Sequence, residues 1–179
     1  MPTVLVIMAD GFEEIEAFTP IDLLRRSGVE VATASLSENR HVTGRSGITA
    51  HTDTTITEAM NRSFTMVMLP GGPGVKLLRA DLRVTQIVRR HAEAKAWLAA
   101  ICAAPTVLLD CNLLRNCRYT AHFSVSSELP RILLDEKVVT DGQICTSRGA
   151  GTAMEFGLQL VTLMCGAEKA CEIGKDICL

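Results

Sequence analysis

The sequence lacks long hydrophobic runs and clusters of positive charge. Its longest apolar runs, Val4–Ala9 and Ala96–Ala104, fall far short of the ~20 residues that cross a bilayer. No run of Lys or Arg exceeds two residues, and 20 acidic against 18 basic residues give a net charge of −2. We therefore expect no membrane-spanning segment, no polybasic membrane anchor and no sequence-specific binding to nucleic acid, which normally requires a basic patch.

The sequence also lacks a secretory signal and paired cysteine motifs. Its N-terminus has no basic segment and soon meets Asp10, Glu13 and Glu14. The 7 cysteines are odd in number and no two are spaced C-x-x-C, which excludes a zinc ribbon and a thioredoxin motif. Since a reducing compartment tolerates free cysteines, we expect a cytoplasmic protein. A length of 179 residues is typical of one domain, here residues 1–179.

Short apolar segments alternate with helical patterns along the chain. The predicted strands are Thr3–Ala9, Glu30–Ser35, Phe64–Leu69, Trp97–Ile101, Val138–Thr140 and Ile144–Ser147. Helices are predicted at Leu82–Ala94 and Pro105–Asp110, among others, and a small hairpin within residues 36–61. This alternation predicts an α/β fold, an open and mostly parallel sheet sandwiched by helices. Ligands bind beyond the carboxyl ends of the strands in such folds.

Three local patterns carry finer predictions. Pro20 lies within the first helical pattern and should kink that helix or begin a second one. Thr152 and Glu155 have the spacing of a capping box, which places a helix start at Thr152. Cys117–Ala121 has the composition of a strand, which would put His122 at a strand end.

Cys102 is the strongest candidate for a nucleophile. It follows a predicted strand directly, and Ala100 and Ala104 stand two residues to either side. A sharp strand-to-helix turn accepts only small side chains at those positions, as in the G-x-S-x-G nucleophile elbow. Pro105 suits the first turn of the next helix. The pattern predicts a sulfur at a helix N-terminus, where the pKa of a thiol is lowered.

A nucleophilic cysteine needs a partner that moves protons. His91 lies on an arginine-flanked helix face and is predicted to be solvated, while His41 and His51 fall in the hairpin region. His122 is the better placed histidine. Acids after the first strand form a second possibility, because that turn opens at the same sheet edge as Cys102.

Two glycine-rich segments complete the candidates. Gly71 and Gly72 follow a buried strand, so the backbone N–H of Gly72, with that of Cys102 or Ala103, could form an oxyanion hole. Residues 147–152 resemble an anion-binding turn but lack the lysine of a P-loop. No nucleotide or other cofactor site and no metal site is therefore predicted.

Four motifs together resemble the DJ-1/ThiJ/PfpI family, in particular its DJ-1/ThiJ branch. They are Asp10-Gly-Phe-Glu-Glu-Ile-Glu16, Leu69-Pro-Gly-Gly72, Ala99-Ala-Ile-Cys-Ala-Ala-Pro-Thr106 and Thr146-Ser-Arg-Gly-Ala-Gly-Thr152. The resemblance implies a flavodoxin-like sandwich and a homodimer. It implies that Cys102 is the elbow cysteine, Glu16 its hydrogen-bonding carboxyl group and His122 the neighbouring histidine. The amides of Gly72 and Ala103 would supply the oxyanion site, beside Gly71.

The resemblance also implies a choice of functions. Members of the family are described as glutathione-independent glyoxalases that convert methylglyoxal to lactate, and as deglycases that act on early glycation adducts. Others are described as oxidative-stress sensors or chaperones whose cysteine is oxidised to sulfinic acid. The protease branch has histidine directly after the nucleophile, where this chain has Ala103, so peptidase activity is disfavoured. The expected partner is a small reactive carbonyl compound, and no cofactor is implied.

Overall fold

The computed structural model describes residues 2–179, which form an α/β sandwich around a seven-stranded sheet. The strands are β1 (Thr3–Met8), β2 (Glu30–Ser35), β3 (His41–Thr43), β4 (Thr49–His51), β5 (Thr54–Thr55), β6 (Met66–Leu69), β7 (Trp97–Ile101), β8 (Val138–Asp141) and β9 (Ile144–Ser147). The helices are α1 (Glu14–Arg26), α2 (Ile56–Ala59), α3 (Val75–Ala80), α4 (Leu82–Glu93), α5 (Pro105–Asp110), α6 (Ala153–Cys165) and α7 (Ala167–Asp176).

The sheet has the strand order β5-β2-β1-β6-β7-β9-β8, and every pair is parallel except β8 with β9. β3 and β4 form the predicted hairpin as a separate antiparallel pair. This arrangement confirms the α/β fold class and the mostly parallel sheet. Among residues 2–179, no helix is both long and apolar enough to cross a membrane.

Two apolar cores flank the sheet because successive strand residues point to opposite faces. In β1, Leu5 and Ile7 join the core beneath α3, α4 and α5, while Val4 and Val6 join the core beneath α1 and α6. Both sets are fully buried. The central strands therefore have the nearly continuous apolar sequence of a parallel sheet covered on both faces.

The predicted helix start at Thr152 is confirmed, because Thr152 is the N-cap residue of α6, whereas the capping box and a second helix start at Pro20 are wrong. Pro20 lies inside α1 without dividing it, and a Cβ added to Gly157 of α6 would stand 3.1 Å from the Pro20 Cα atom. This close packing of α6 on α1 stabilises one continuous helix. The Thr152 side chain does not cap α6, since its hydroxyl group contacts Ser147 and Gly149, and Glu155 pairs with Lys137.

The segment before His122 is not the predicted strand. Residues 117–121 have no regular secondary structure, and Thr120 N–H donates to the side chain of Thr146 instead of joining a strand ladder. The segment nevertheless brings His122 to the correct edge, because its N–H donates to the Cys102 carbonyl at 2.9 Å.

Candidate active site

Cys102 occupies a strained turn between β7 and α5. Its φ of 65° lies in the left-handed region, which is unusual for a residue with a side chain. The turn is held by two backbone hydrogen bonds, from Cys102 N–H to Ser147 O and from His122 N–H to Cys102 O, each 2.9 Å. Ala100 and Ala104 on either side are fully buried. The structure thus contains the sharp turn that the small residues predict.

Glu16 reaches the sulfur from the first turn of α1. Glu16 is only 1% exposed, and its carboxyl group lies beside Cys102, with Gly71 between the two side chains. The Gly71 N–H donates to its Oε2 atom at 3.0 Å. One turn earlier, Glu13 caps the helix by accepting the Glu16 N–H at 2.8 Å. The carboxyl group is consequently fixed in one position beside Cys102.

Burial and charge couple the protonation of these two groups. Burial, followed by the nearby charge of Glu13, raises the pKa of Glu16 to about 7, against the lowering effects of its hydrogen bonds to Cys102 and to the Gly71 and Ala150 amides. Burial also raises the pKa of Cys102 to about 12, and the ionised Glu16 carboxylate contributes the next largest effects. The pKa of Cys102 is therefore raised and not lowered as the sequence predicts, chiefly because the thiol is buried.

A single proton shared by the pair reconciles these shifts. When Glu16 carries the proton, its negative charge disappears and its O–H can donate to the sulfur. The amides of Gly72 and Ala103, which lower the pKa of Cys102, then remain to stabilise a thiolate. Such a pair titrates as one unit and can pass its proton between sulfur and carboxyl group.

Gly71 supports Glu16 and does not belong to the oxyanion site, where the sequence places it. Its only N–H donates to Glu16, so this amide is not free to bind a substrate oxygen. A Cβ at Gly71 would lie 2.3 Å from Glu16 Oε2 and 2.5 Å from Cys102 Cβ, so only glycine fits between the two groups. The amides of Gly72 and Ala103 lower the pKa of Cys102 and stay the candidates for oxyanion binding.

His122 lines the same cavity as Cys102 without touching the sulfur. Among residues 2–179, no hydrogen bond joins its ring to Cys102 or Glu16; its Nδ1 accepts the Ser124 N–H at 3.2 Å. The ring faces Glu16 across Gly149, whose missing Cβ would lie 3.4 Å from His122 Cδ2 and 3.6 Å from Glu16 Oε1. A substrate in this gap would contact both side chains.

The other histidines lie away from the site. His91 is buried rather than solvated, which corrects the prediction from its arginine neighbours. Its Nε2 accepts the Phe64 N–H at 3.1 Å and its Nδ1 is 2.7 Å from Ile87 O, so it joins α4 to the segment before β6. Burial lowers its pKa. His41 and His51 face each other in the exposed hairpin.

The site opens into a cavity of about 430 Å³. Sequence reasoning placed Cys102, Glu16, Gly72, Ala103 and His122 there. It missed others, chief among them Arg45, Lys76, Arg79 and Ala150. Their positions depend on how the hairpin, α3 and the segment after β9 pack at the strand ends, for which no local sequence signal exists. Within residues 2–179, no group of three or more His, Cys, Asp or Glu side chains is arranged to hold a metal ion.

We expect the substitution Gly71→Ala to destabilise the protein by about 1–3 kcal/mol, because the new methyl group would overpack the contact between Glu16 and Cys102. Gly149→Ala is the matched control, since its methyl group would meet only ordinary contacts at 3.4 and 3.6 Å. Thermal unfolding measures both variants. Equal melting temperatures for Gly71→Ala and the wild type would contradict the close packing.

We also expect Glu16→Gln to change how stability depends on pH. The pKa of Glu16 is raised from 4.5 to about 7 in the folded protein, so its stabilising protonation is complete below pH 4.5 and lost as the pH rises through 7. Gln does not titrate, so the variant does not lose stability in this way. Between pH 4.5 and 8 its free energy of unfolding should therefore rise by up to about 3 kcal/mol relative to that of the wild type. Thermal unfolding across this range tests the prediction, with the exposed Glu93→Gln as control; parallel curves would contradict it.

Fold and site together define a class of protein: an α/β sandwich with a cysteine, the candidate nucleophile, on a strand-to-helix turn beside a buried carboxyl group. The chain belongs to the DJ-1/PfpI family, whose model matches residues 2–163.

Individual relatives agree with this assignment. The chain is 31% identical over 178 residues to "Glutathione-independent glyoxalase DJR-1.2" of Caenorhabditis elegans, covering 98% of this chain and 95% of the relative. The solved structure "Toxoplasma gondii DJ-1, oxidized" superposes with a TM-score of 0.94 at 31% identity and covers 99% of this chain and 98% of that one. Protein DJ-1 homolog A of Arabidopsis thaliana is 35% identical over 97% of this chain, which spans only 45% of that relative's length.

Proposed function

We propose that the protein is a glutathione-independent glyoxalase that acts on methylglyoxal and similar 2-oxoaldehydes. The observation that carries this proposal is the pairing of Cys102 with the buried Glu16, which lie on either side of Gly71 and line one open cavity. The pair combines a nucleophile with a group that can accept and return a proton. The Gly72 and Ala103 amides beside the sulfur suit an oxygen that becomes negatively charged during addition.

The reaction proceeds in three steps and needs no external oxidant. The Cys102 thiolate adds to the aldehyde carbon, and the resulting oxyanion takes a proton to give a hemithioacetal. Glu16 then removes the proton from that carbon and returns a proton to the neighbouring carbon, which turns the hemithioacetal into a thioester while the ketone becomes an alcohol. Water cleaves the thioester and releases lactate and the free thiol.

Three further points support or extend this proposal. A relative of similar length is named a glutathione-independent glyoxalase. Early glycation adducts release the same free carbonyl compound when they dissociate, so deglycase activity belongs to the same chemistry. His122 faces Glu16 across the gap where a substrate would lie, and we propose that it orients the substrate's second oxygen.

The test is formation of lactate from methylglyoxal by freshly reduced protein in the absence of glutathione. Lactate that forms with the wild type and not with Cys102→Ser supports the proposal. A folded, reduced wild-type protein that forms none would overturn it for this substrate.

A second candidate function is an oxidative-stress sensor or redox-regulated chaperone. The Gly72 and Ala103 N–H groups and the O–H of protonated Glu16 could donate hydrogen bonds to the oxygens of a sulfinate on Cys102. A relative's structure is described as oxidised. Mild peroxide treatment followed by mass spectrometry tests this role: a gain of about 32 Da at Cys102 before any other cysteine is the expected result. Indiscriminate oxidation of the exposed Cys165, Cys171 and Cys178 would argue against it.

We further propose that the protein is a cytoplasmic homodimer. All seven cysteines are free, as a reducing compartment would keep them. Ile15 at the start of α1 and Ile48 in the hairpin are each 54% exposed, and they flank the loop that packs on Glu14, so a second copy could cover them. Sedimentation should give twice the chain mass of 19.3 kDa. A monomer at micromolar concentration would contradict the dimer.

A further inference from the structure

Two cationic side chains in the active-site cavity have no partner of their own. Arg45 and Lys76 line the cavity together with Cys102. Across residues 2–179, neither side chain takes part in an ion pair or a side-chain hydrogen bond. Most other arginines in this part of the chain are paired, for example Arg79 and Arg83. Both residues are exposed and therefore hydrated, and their positive charges beside Cys102 would attract an anionic group of a substrate into the cavity.

The backbone around Arg45 is fixed against the turn that carries Glu16. Arg45 N–H donates to Phe12 O at 2.8 Å, and Ser46 N–H donates to Glu14 Oε1 at 2.8 Å. Gly44 permits this contact, because a Cβ there would lie 2.4 Å from Glu14 Oε1. These contacts fix the backbone of the hairpin loop, which carries Arg45 at the cavity.

Lys76 is placed by the loop that precedes α3. Glu13 N–H donates to Gly71 O at 3.0 Å, and Gly74 N–H donates to Gly11 O at 3.0 Å. These bonds join the start of α3 to the loop before α1, so the second residue of α3 is set at the rim of the cavity. Arg45 and Lys76 are thus carried by two segments that are both attached to the Glu16 turn.

The acids of the cavity are already engaged. Glu13 caps α1, Glu16 is bonded to Gly71 and Cys102, and Glu128 binds Arg79 together with Asp110. None of them neutralises Arg45 or Lys76 directly. A carboxylate that enters the cavity would therefore find two cationic side chains that are not bound to an acid, in addition to the Gly72 and Ala103 amides beside the sulfur.

We propose that Arg45 and Lys76 form a carboxylate-recognition site, and that the preferred substrates are 2-oxoaldehydes that carry a carboxylate beyond the dicarbonyl group. This inference rests on the proposed glyoxalase function. A guanidinium group binds a carboxylate through two parallel hydrogen bonds, and an ammonium group adds a point charge. The remaining chemistry is unchanged: the thiolate adds to the aldehyde, a proton moves to the neighbouring carbon, and water releases a 2-hydroxy acid.

The first test needs no turnover. Iodoacetate and iodoacetamide alkylate the same sulfur and differ in charge, so their rate ratio at Cys102, followed by peptide mass spectrometry, reports the local preference for an anion. The exposed Cys171 on α7 is the reference within the same sample. We expect the ratio at Cys102 to exceed that at Cys171 by about tenfold at low salt and to fall as salt is added.

Variants and a substrate pair complete the experiment. The double substitution Arg45→Gln and Lys76→Gln should remove the alkylation preference, whereas Lys175→Gln on α7 should not change it. For turnover, 4,5-dioxopentanoate is compared with its uncharged counterpart 2-oxopentanal; the products are 2-hydroxyglutarate and 2-hydroxypentanoate. We expect kcat/KM to favour the charged substrate by about tenfold and this preference to vanish in the double variant.

The outcomes separate the two proposals. Equal alkylation ratios at Cys102 and Cys171, or a preference that survives the double substitution, would overturn the carboxylate site. Turnover of methylglyoxal without preference for 4,5-dioxopentanoate would do the same and leave the glyoxalase function intact. An alkylation preference without turnover of any 2-oxoaldehyde would retain the anion site and overturn the glyoxalase function.

Discussion

Cys102→Ser should lower kcat/KM for methylglyoxal by on the order of 10³-fold or more, to the limit of detection. Serine fits the turn, because the oxygen is smaller than the sulfur and the backbone strain belongs to the turn itself. The hydroxyl group, however, is far less acidic than a thiol and lacks a strong base beside it, since Glu16 is partly protonated near neutral pH. The first addition step is therefore lost while the cavity is kept.

Controls for this variant follow from the burial of the other cysteines. Cys171→Ser changes an exposed sulfur on α7 and should leave activity unaltered. Thermal unfolding of Cys102→Ser should show an intact fold, so that the loss is assigned to chemistry. A serine variant that keeps more than about one tenth of the activity would show that the nucleophile is another group.

The sequence predicts the central strands well because their burial on both faces leaves an unmistakable pattern. β1, β6 and β7 lie within one or two residues of their predicted positions. The turn at Cys102 could be predicted equally well, because small residues and Pro105 mark it in the local sequence. By contrast, Pro20 packs against Gly157, which is far away in the sequence. The Thr152 hydroxyl group hydrogen-bonds to Ser147, a contact that a capping-box pattern does not predict.

The same distinction applies to the site. Cys102 directly follows β7 and could be located from the strand pattern, whereas Glu16 and His122 are assigned through the resemblance to the family. The role of Gly71 could not be predicted, because in a sequence a glycine that lies between two packed side chains cannot be told from one whose N–H binds a ligand. The place of Arg45 and Lys76 in the cavity could not be predicted either, because it depends on the hairpin and the loop before α3 both packing at the start of α1.

Glu16→Ala and Glu16→Gln should each lower kcat for methylglyoxal by about 10²–10⁴-fold, the usual contribution of a general acid and base. Gln is the more informative variant. It can keep an acceptor for the Gly71 N–H and a donor towards Cys102, so the pair's geometry is retained while proton transfer is lost. A deficit shared by both variants therefore assigns the loss to the proton rather than to packing.

The fate of the migrating proton provides a second readout of the same step. If Glu16 carries the proton between the two carbons, it exchanges with solvent, and lactate formed in D₂O should carry deuterium at carbon 2. A direct hydride shift would retain the original hydrogen there. Proton NMR of the lactate methyl signal distinguishes the two. If the Glu16→Gln enzyme is fully active and still incorporates deuterium, the proton transfer is assigned to His122 instead. His122 is the other titratable group that faces the gap across Gly149.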